Sequence, residues 1–455
     1  MRNRLLLIGG AVALIAVGIW AITASGDDDG DGDSATASSE DVSLRLWIMD
    51  NGPDPVGDTE RILKPFEEET GIDVNVQLVG WDVQFDRIRN AAVSGQGPDV
   101  TQAGTTQVPF FAALGGFEDL SDRVDSIGGS EAYAPGIWST TQVAGQEGTW
   151  AVPWFTEART VYYRKDALKA AGVDEETAFT DWDAFRNTLE ALSQVKEIDG
   201  EPIKPFGSPG RRAFDLVHHV MPFVWNNGGA ELSEDYAEST INSDEAVEGV
   251  KYFADLIPDG LYDTTALERD AVQVEETFKG GQIAVWIGGP WVLSTVERED
   301  DPAWTQAARE NVGIAPMPAG PTGEASAFVG GSNLMMFEAS EYKDEAWQLI
   351  EYLSDDQVQQ DYAALMGMFP SRLAGQDAQA AESPNHAAFA EAIENGRTYA
   401  PIPQWGQIEP AYQGRFGNIL EAAAGQGGEY SEDLIRSELE EAKKEADALL
   451  AQETG

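Results

Sequence analysis

From Val42 the chain writes a unit that leaves little choice of architecture. In VSLRLWI, the apolar residues Val42, Leu44, Leu46 and Ile48 fall on one face at strand spacing. DTERILKPFEEETG then reads as a helix with Ile62, Leu63 and Phe66 inward and Gly71 as terminator. DVNVQLV alternates again through Val74, Val76 and Leu78. Strand, helix, strand within about forty residues is the unit of a parallel sheet, because parallel neighbours need a helical crossover rather than a tight turn. Similar units recur along most of the chain, so the fold class is α/β. At 455 residues the chain exceeds what one hydrophobic core usually serves, which predicts two lobes.

Charge and composition narrow the partners. The balance of 29 Lys+Arg against 79 Asp+Glu gives a formal net charge of -50, which repels nucleic acid and anionic headgroups. Cysteine is absent, which excludes disulfides, thiol catalysis and thiolate metal sites. Only His218, His219 and His386 could supply imidazole, and the first two are neighbours in an apparent helix, so neither a metal nor a cofactor is expected. No Ser-His-Asp, phosphate-loop or zinc-hydrolase pattern stands out.

The first 24 residues carry an address: Arg2 and Arg4 precede LLLIGGAVALIAVGIWAITA, long enough to cross a bilayer as one helix. A cleaved signal peptide is the rival reading, although the run exceeds its usual ~7–15 apolar residues. Residues 25–41, SGDDDGDGDSATASSED, form an acidic flexible linker with nothing to bury. Asp27, Asp29, Asp31 and Gly32 begin a calcium-loop pattern, but its closing position falls on Ser38 and no amphipathic helix flanks it.

Six blocks in order carry a family likeness: FEEETGIDVNVQ, AAVSGQGPDV, GTWAVPWFTEARTVYYRKDALKAAGV, FKGGQIAVWIGGPWVLS, NVGIAPMPAGPTGEASAFVGGSN and MGMFPSRLA. Together they make the chain resemble the extracellular solute-binding proteins of ATP-driven sugar importers, the group that includes maltose-binding proteins. The resemblance implies a two-lobed type II periplasmic-binding-protein fold, with hinge crossings and an interlobe cleft that closes on an oligosaccharide and then docks on a membrane permease. It divides the chain into lobe 1 (residues 42–157 and about 316–366) and lobe 2 (residues 158–315 and about 367–455). Many members carry a lipid-modified cysteine after the signal. None is present here, which makes the apolar run at residues 5–24 the candidate membrane attachment, on the outer face of the cytoplasmic membrane. A monomer is expected.

Candidate site residues follow from the blocks and the resemblance. In VWIGGPWVLS, a buried strand ends at Gly288 and Gly289, so Trp291 projects at a strand end and a helix N-terminus, where open α/β sheets bind ligands. The resemblance implies that it stacks on a sugar, an indole face covering the C–H face of a pyranose. Glu157 falls where maltose-binding members carry a cleft carboxylate, and the stretch from Trp154 through Phe155 to Glu157 reads as cleft wall, with core from Thr160 onward. Tyr162 and Tyr163 resemble the pair of ferric-ion binders, but adjacency on a strand sends them to opposite faces.

Asp50 and Asn51 end the first strand, as ligand groups or as turn residues. Trp81 and Asp82 open the next helix, where Asp82 could equally be a cap. Thr105 and Thr106 in GTTQ could donate to hydroxyls or simply turn the chain. Trp225 before NNGG reads as core or platform. Gly331 and Ser332, in a Gly-rich run, permit close approach of a sugar. Met368 and Arg372 flank MFPSR, where the arginine clamps hydroxyls or holds a carboxylate. Trp405 stands near a cleft aromatic of the family, with Tyr412 as competitor. The tail SEDLIRSELEEAKKEADALLAQ reads as a terminal amphipathic helix. A carbohydrate-active hydrolase would also use aromatics and carboxylates, but needs two acids at a defined separation that sequence cannot show.

Overall fold

Leu44, Leu46 and Ile48 are fully buried along β1 (Ser43–Ile48), and they pair in parallel register with Val74, Val76 and Leu78 of β2 (Asp73–Leu78). The Pro55–Thr70 helix makes the crossover, its Leu63 and Phe66 inward, ending at Gly71 with φ 74. That left-handed conformation is cheap only for glycine. Leu78, expected inward, is 44% exposed at the end of β2, the edge strand of its sheet. These coordinates belong to a computed structural model that describes residues 42–452 apart from Pro53, Asp82, Arg212, Phe214 and residues 298–300. The apolar run at residues 5–24, the acidic linker and the candidate Asp82 lie outside the described residues. The helix expected to open at Trp81 begins at Gln84, with Val83 at its cap and no side-chain cap bond.

Two sheets organise the described chain. The larger has six strands in the order β12-β4-β11-β3-β1-β2, with β3 (Val100–Gly104), β4 (Val152–Ala158), β11 (Val329–Met336) and β12 (Phe369–Pro370) joining the first two. β1, β2 and β3 run parallel, whereas β11 is antiparallel to both its neighbours. The smaller sheet sets β5 (Thr160–Arg164) between β10 (Val312–Ala315) and β9 (Ile283–Gly288), with β8 (Lys204–Gly207) parallel to β9. A short hairpin of β6 (Glu197–Ile198) and β7 (Glu201–Pro202) stands apart.

Each sheet has its own apolar packing, around Leu46, Trp154 and Tyr362 in the first and around Tyr162, Phe206 and Trp286 in the second. The chain passes between them with a single residue, Arg159, separating β4 from β5. Two further passages lie beside it: Arg159 N donates to Phe328 O at 3.0 Å, and Arg397 N to Ala327 O at 2.8 Å. The backbone groups of all three passages are therefore paired away from water. The Trp405–Ala423 helix packs on the Leu216–Asn226 helix and the terminal Glu432–Leu450 helix, and also reaches the Val108–Ala113 helix that follows β3. The terminal helix buries Ile435, Leu439, Ala442 and Ala446, the stripe its sequence predicts.

Candidate functional site

The ends of β1, β3 and β11 are tied by one side-chain amide. Gln102 Oε1 accepts from Asn51 Nδ2 at 2.9 Å and from Met49 N at 2.8 Å, while its Nε2 donates to Ser332 Oγ at 2.7 Å. Asn51 and Ser332 are buried, so their polarity serves this internal network. Asp50 is exposed, and its carbonyl accepts from Trp81 Nε1 at 3.2 Å. The indole lies against Gly104, at a distance that a Cβ there would also tolerate, 3.6 Å from Trp81 Cζ3. Thr105 N donates to Gly331 O at 3.3 Å.

Several expected wall residues are core instead. Trp154 is 1% exposed and stacks on Tyr362 with ring centroids 4.3 Å apart, and Phe155 is buried beside the same rings. Alternation should have aimed one of them at solvent, but both faces of β4 are covered. Gly331 does not hold space open for a ligand, since a Cβ would sit 2.2 Å from Phe155 O; its φ of 129 lets β4 approach. Met368 is buried, its carbonyl bonded by Gln379 Nε2 at 2.7 Å. Arg372 takes the carboxylate option, pairing with Asp356, donating to Ile127 O at 2.6 Å and lying over the Tyr133 ring. Trp225 is buried and donates to Glu231 at 2.8 Å. Tyr162 and Tyr163 sit in the packing of the second sheet, Tyr162 bonded to Gly289 O.

What remains converges at the passages. Arg159, buried, donates Nη1 to Glu157 Oε2 at 2.6 Å and Nη2 to Asp215 Oδ1 at 2.7 Å. Its guanidinium carbon lies 4.6 Å from the centre of the Trp291 ring, so one indole face is covered, and Trp291 Nε1 donates to Glu275 at 2.8 Å. Trp291 stays half-buried and touches the packing of both sheets. His218, just after Asp215, stacks on Phe328 at 3.9 Å and meets Tyr399 Oη at 3.0 Å. Tyr399 stacks on Trp405 at 4.4 Å, and one helical turn beyond Trp405 stands Glu409. Glu409 Oε1 is 3.5 Å from His218 Nε2, and its Oε2 accepts from Thr106 Oγ1 at 3.3 Å. Thr106 belongs to the six-stranded side, Glu409 to the other.

Burial dominates the electrostatics here. It pushes Glu157 up to about 7, with Arg159 opposing and Asp215 reinforcing. It pushes Glu409 up to about 8, with the Thr106 bond opposing and Asp215 reinforcing. His218 is driven down to about 3 and His219 to about 4, again by burial first, against the pull of Asp215. Burial also works against an ionised Asp215, but Arg159 and the two histidines outweigh it and hold this acid below its ordinary range. Asp215 and Arg159 thus form the charged centre, ringed by groups that favour neutrality. Among the described residues, no cluster of three or more His or acidic side chains is placed to hold a metal.

Sequence reasoning missed Arg159, Asp215, His218, Tyr399 and Glu409. The signals were faint: Arg159 shares a strand face with Glu157 two residues earlier, and Glu409 shares a helix face with Trp405 four residues earlier. Surface recesses lie elsewhere, one lined by Pro316, Glu324, Ser326, Glu391 and Asn395, another by Lys165, Lys169 and Glu175. Neither shares a residue with the Glu157 to Glu409 cluster.

Comparison with known proteins adds the following. Residues 50–360 match the family model for bacterial extracellular solute-binding proteins. The diacetylchitobiose-binding protein DasA of Streptomyces coelicolor is 28% identical over 418 residues, covering 90% of this chain and 91% of that one. The sugar-binding protein MalE of Xanthomonas citri superposes with a TM-score of 0.73 at 25% identity, over 90% of this chain and 98% of that one. Maltose-bound MalE3 of T. maritima gives 0.76 at 24% identity, over 89% and 99%.

Proposed function

Because the chain belongs to the bacterial extracellular solute-binding protein family, non-catalytic substrate-binding components of ABC transporters, we propose that it captures a neutral oligosaccharide between its two sheets. The observation that carries this reading is the band where both sides meet: Thr106 and half-buried Trp81 from the six-stranded side, Glu409 from the other, backed by Tyr399 and the fully buried Trp405, which is core like Trp154, and Glu157, Arg159 and half-buried Trp291 at the passage. Aromatic rings beside buried acids held by hydrogen bonds, Glu157 by Arg159 and Glu409 by Thr106, are what a sugar needs, apolar C–H faces and hydroxyls being matched together. Thr106 bonds Glu409 across the two sides, and a sugar would replace that contact with its own hydroxyls. The names of DasA and of the MalE structures support the class.

The lobes we propose are residues 42–157 with about 316–366, and residues 158–315 with about 367–455, the pairing of β12 with β4 arguing for extending the first lobe past Pro370. Closure delivers the bound sugar to permease subunits. Membrane attachment through residues 5–24 completes the reading, and its support is the length of the apolar run and the lack of cysteine. Among the described residues no helix is long and apolar enough to cross a membrane. Cell fractionation tests the attachment: full-length chain in the membrane pellet is expected, and mature chain starting after Ala24 in the medium would overturn it.

Binding is tested by a thermal-shift panel of neutral di- and trisaccharides, followed by calorimetry, since a ligand that binds only the native state raises the melting temperature by mass action. One sugar per chain, recovered intact, is expected. A panel without any shift, or hydrolysis that disappears in Glu157→Gln, sinks the proposal.

A further inference from the structure

We propose that Glu409 is a proton-carrying latch between the two lobes: its carboxyl joins the Trp405–Ala423 helix to the loop after β3 as a neutral acid, and opening the lobes gives that proton to water. The inference rests on the two-lobed binding reading above.

Three geometric facts support it. First, Glu409 is 9% exposed, and Gly406, one turn earlier, packs so closely that a Cβ would lie 3.1 Å from Phe110 and 3.3 Å from Phe85. The helical turn that carries Glu409 is thus pressed against apolar rings of the opposite lobe. Second, among the described residues its carboxyl accepts a hydrogen bond from Thr106, across the lobes, while Oε1 has no hydrogen-bond donor. Third, among the described residues no charged cation is paired with it. The ionisable neighbours are Asp215 and His218 at the start of the Leu216–Asn226 helix, Tyr399 in the segment before Trp405, and Arg159 at the passage. Arg159 directs both terminal nitrogens to Glu157 and Asp215, and His218 is neutral at ordinary pH. Asp215 is an anion, so it favours the protonated carboxyl further. From the Val108–Ala113 helix no ionisable side chain reaches in, because VPFFAA has none.

A carboxyl buried without a cation stays protonated, whereas the same carboxyl in an open, wet cleft ionises in the usual range. Closure raises its pKa from an ordinary 4.5 to about 8. The sign follows: the closed state is fully favoured below the open-state value and loses about tenfold per pH unit as pH rises toward the closed-state value, then levels off.

The full chain has no cysteine, so Val93→Cys and Val272→Cys, at exposed positions on helices flanking different sheets, can carry a fluorescent distance pair. Without ligand, the distance should lengthen as pH rises, with the last part of the change near pH 8. Glu409→Gln, a permanently neutral isostere, should lose that upper transition and stay closed; any step left near 7 belongs to Glu157. An upper transition retained in Glu409→Gln, or absent from the wild type, overturns the latch. Should Glu409→Gln not fold, Thr106→Val keeps the acid and removes a bond that lowers its pKa, so the midpoint should move up; an unmoved midpoint counts against the proposal. In parallel, N,N′-diacetylchitobiose and maltotriose are titrated calorimetrically in buffers of different ionisation enthalpy. Binding with proton uptake that vanishes in Glu409→Gln supports both readings. Binding without proton uptake ends the latch and leaves sugar capture standing, while a Glu409-dependent distance change without sugar binding does the reverse.

Discussion

Arg159 holds more of the site together than any residue the sequence singled out. Its two ion pairs, at 2.6 Å to Glu157 and 2.7 Å to Asp215, lie in a region nearly free of solvent, so their value is less a gain over apolar packing than the cost of breaking them. Arg159→Met would leave Asp215 as a buried anion without a counter-charge. The expected loss is ~3–5 kcal/mol of unfolding free energy, read from urea denaturation. Arg159→Lys should recover only part of it, because one ammonium cannot fork to two carboxylates and lie flat on the Trp291 ring. A loss below about 1 kcal/mol, as for an exposed pair, would show that water reaches this cluster. The same residue shows where reading a sequence stops. Glu157 was legible through its family position, but the second partner of Arg159 was not: Asp215 lies 56 residues beyond Arg159, and nothing local in AFDLVHH marks it as an anion that an arginine will meet.

At the level of elements, the readable parts are those whose cause is local. The β1, helix, β2 unit and the terminal helix follow from spacing and from caps such as Gly71 and Ser431, whose hydroxyl accepts from Leu434 N at 3.2 Å. Trp291 likewise stands where a strand ends and a helix begins, as IGGPW predicts. Aromatic residues were the weak point. An aromatic that lines a cleft and one that fills a core have the same identity and the same neighbours in sequence, and only tertiary packing separates them. Trp154 is stacked on Tyr362, more than two hundred residues on, and Trp225 is closed in beside Tyr399. The glycines of FVGGSN show the same ambiguity: glycine permits close approach, but the approaching groups proved to be β4 at Gly331 and, at Gly330, the Phe328 ring and the Glu157 carboxyl, 2.7 and 3.0 Å from where a Cβ would stand. Lobe assignment depends on similarly distant pairings, such as Phe369 with Thr156.

For the whole molecule, the buried cluster and the acidic surface make separable demands on pH. His218 and His219, depressed from 6.5 to about 3 and about 4, contribute stability that is present above 6.5 and lost as pH falls toward those values. Glu157 and Glu409, raised from 4.5 to about 7 and about 8, contribute in the opposite sense: fully below 4.5, and progressively lost as pH rises through 7 and 8. Between 4.5 and 6.5 the two slopes cancel, two protons against two, so this cluster predicts a plateau there. Below it the histidines, joined by the depressed Asp215, give an acid limb; above it only the carboxyls remain, giving an alkaline limb that ends near pH 8. The formal net charge of -50 adds self-repulsion that also grows as surface acids ionise, but salt screens exposed charges and leaves desolvated ones nearly untouched. Urea denaturation across pH at low and high salt should therefore show overall stability rising with salt while the alkaline limb persists, and Glu409→Gln should remove about three quarters of that limb, since above 6.5 Glu157 stops contributing near 7 and Glu409 near 8. If high salt erases the limb, or Glu409→Gln leaves it whole, the pH response belongs to the surface and the buried acids do not set it.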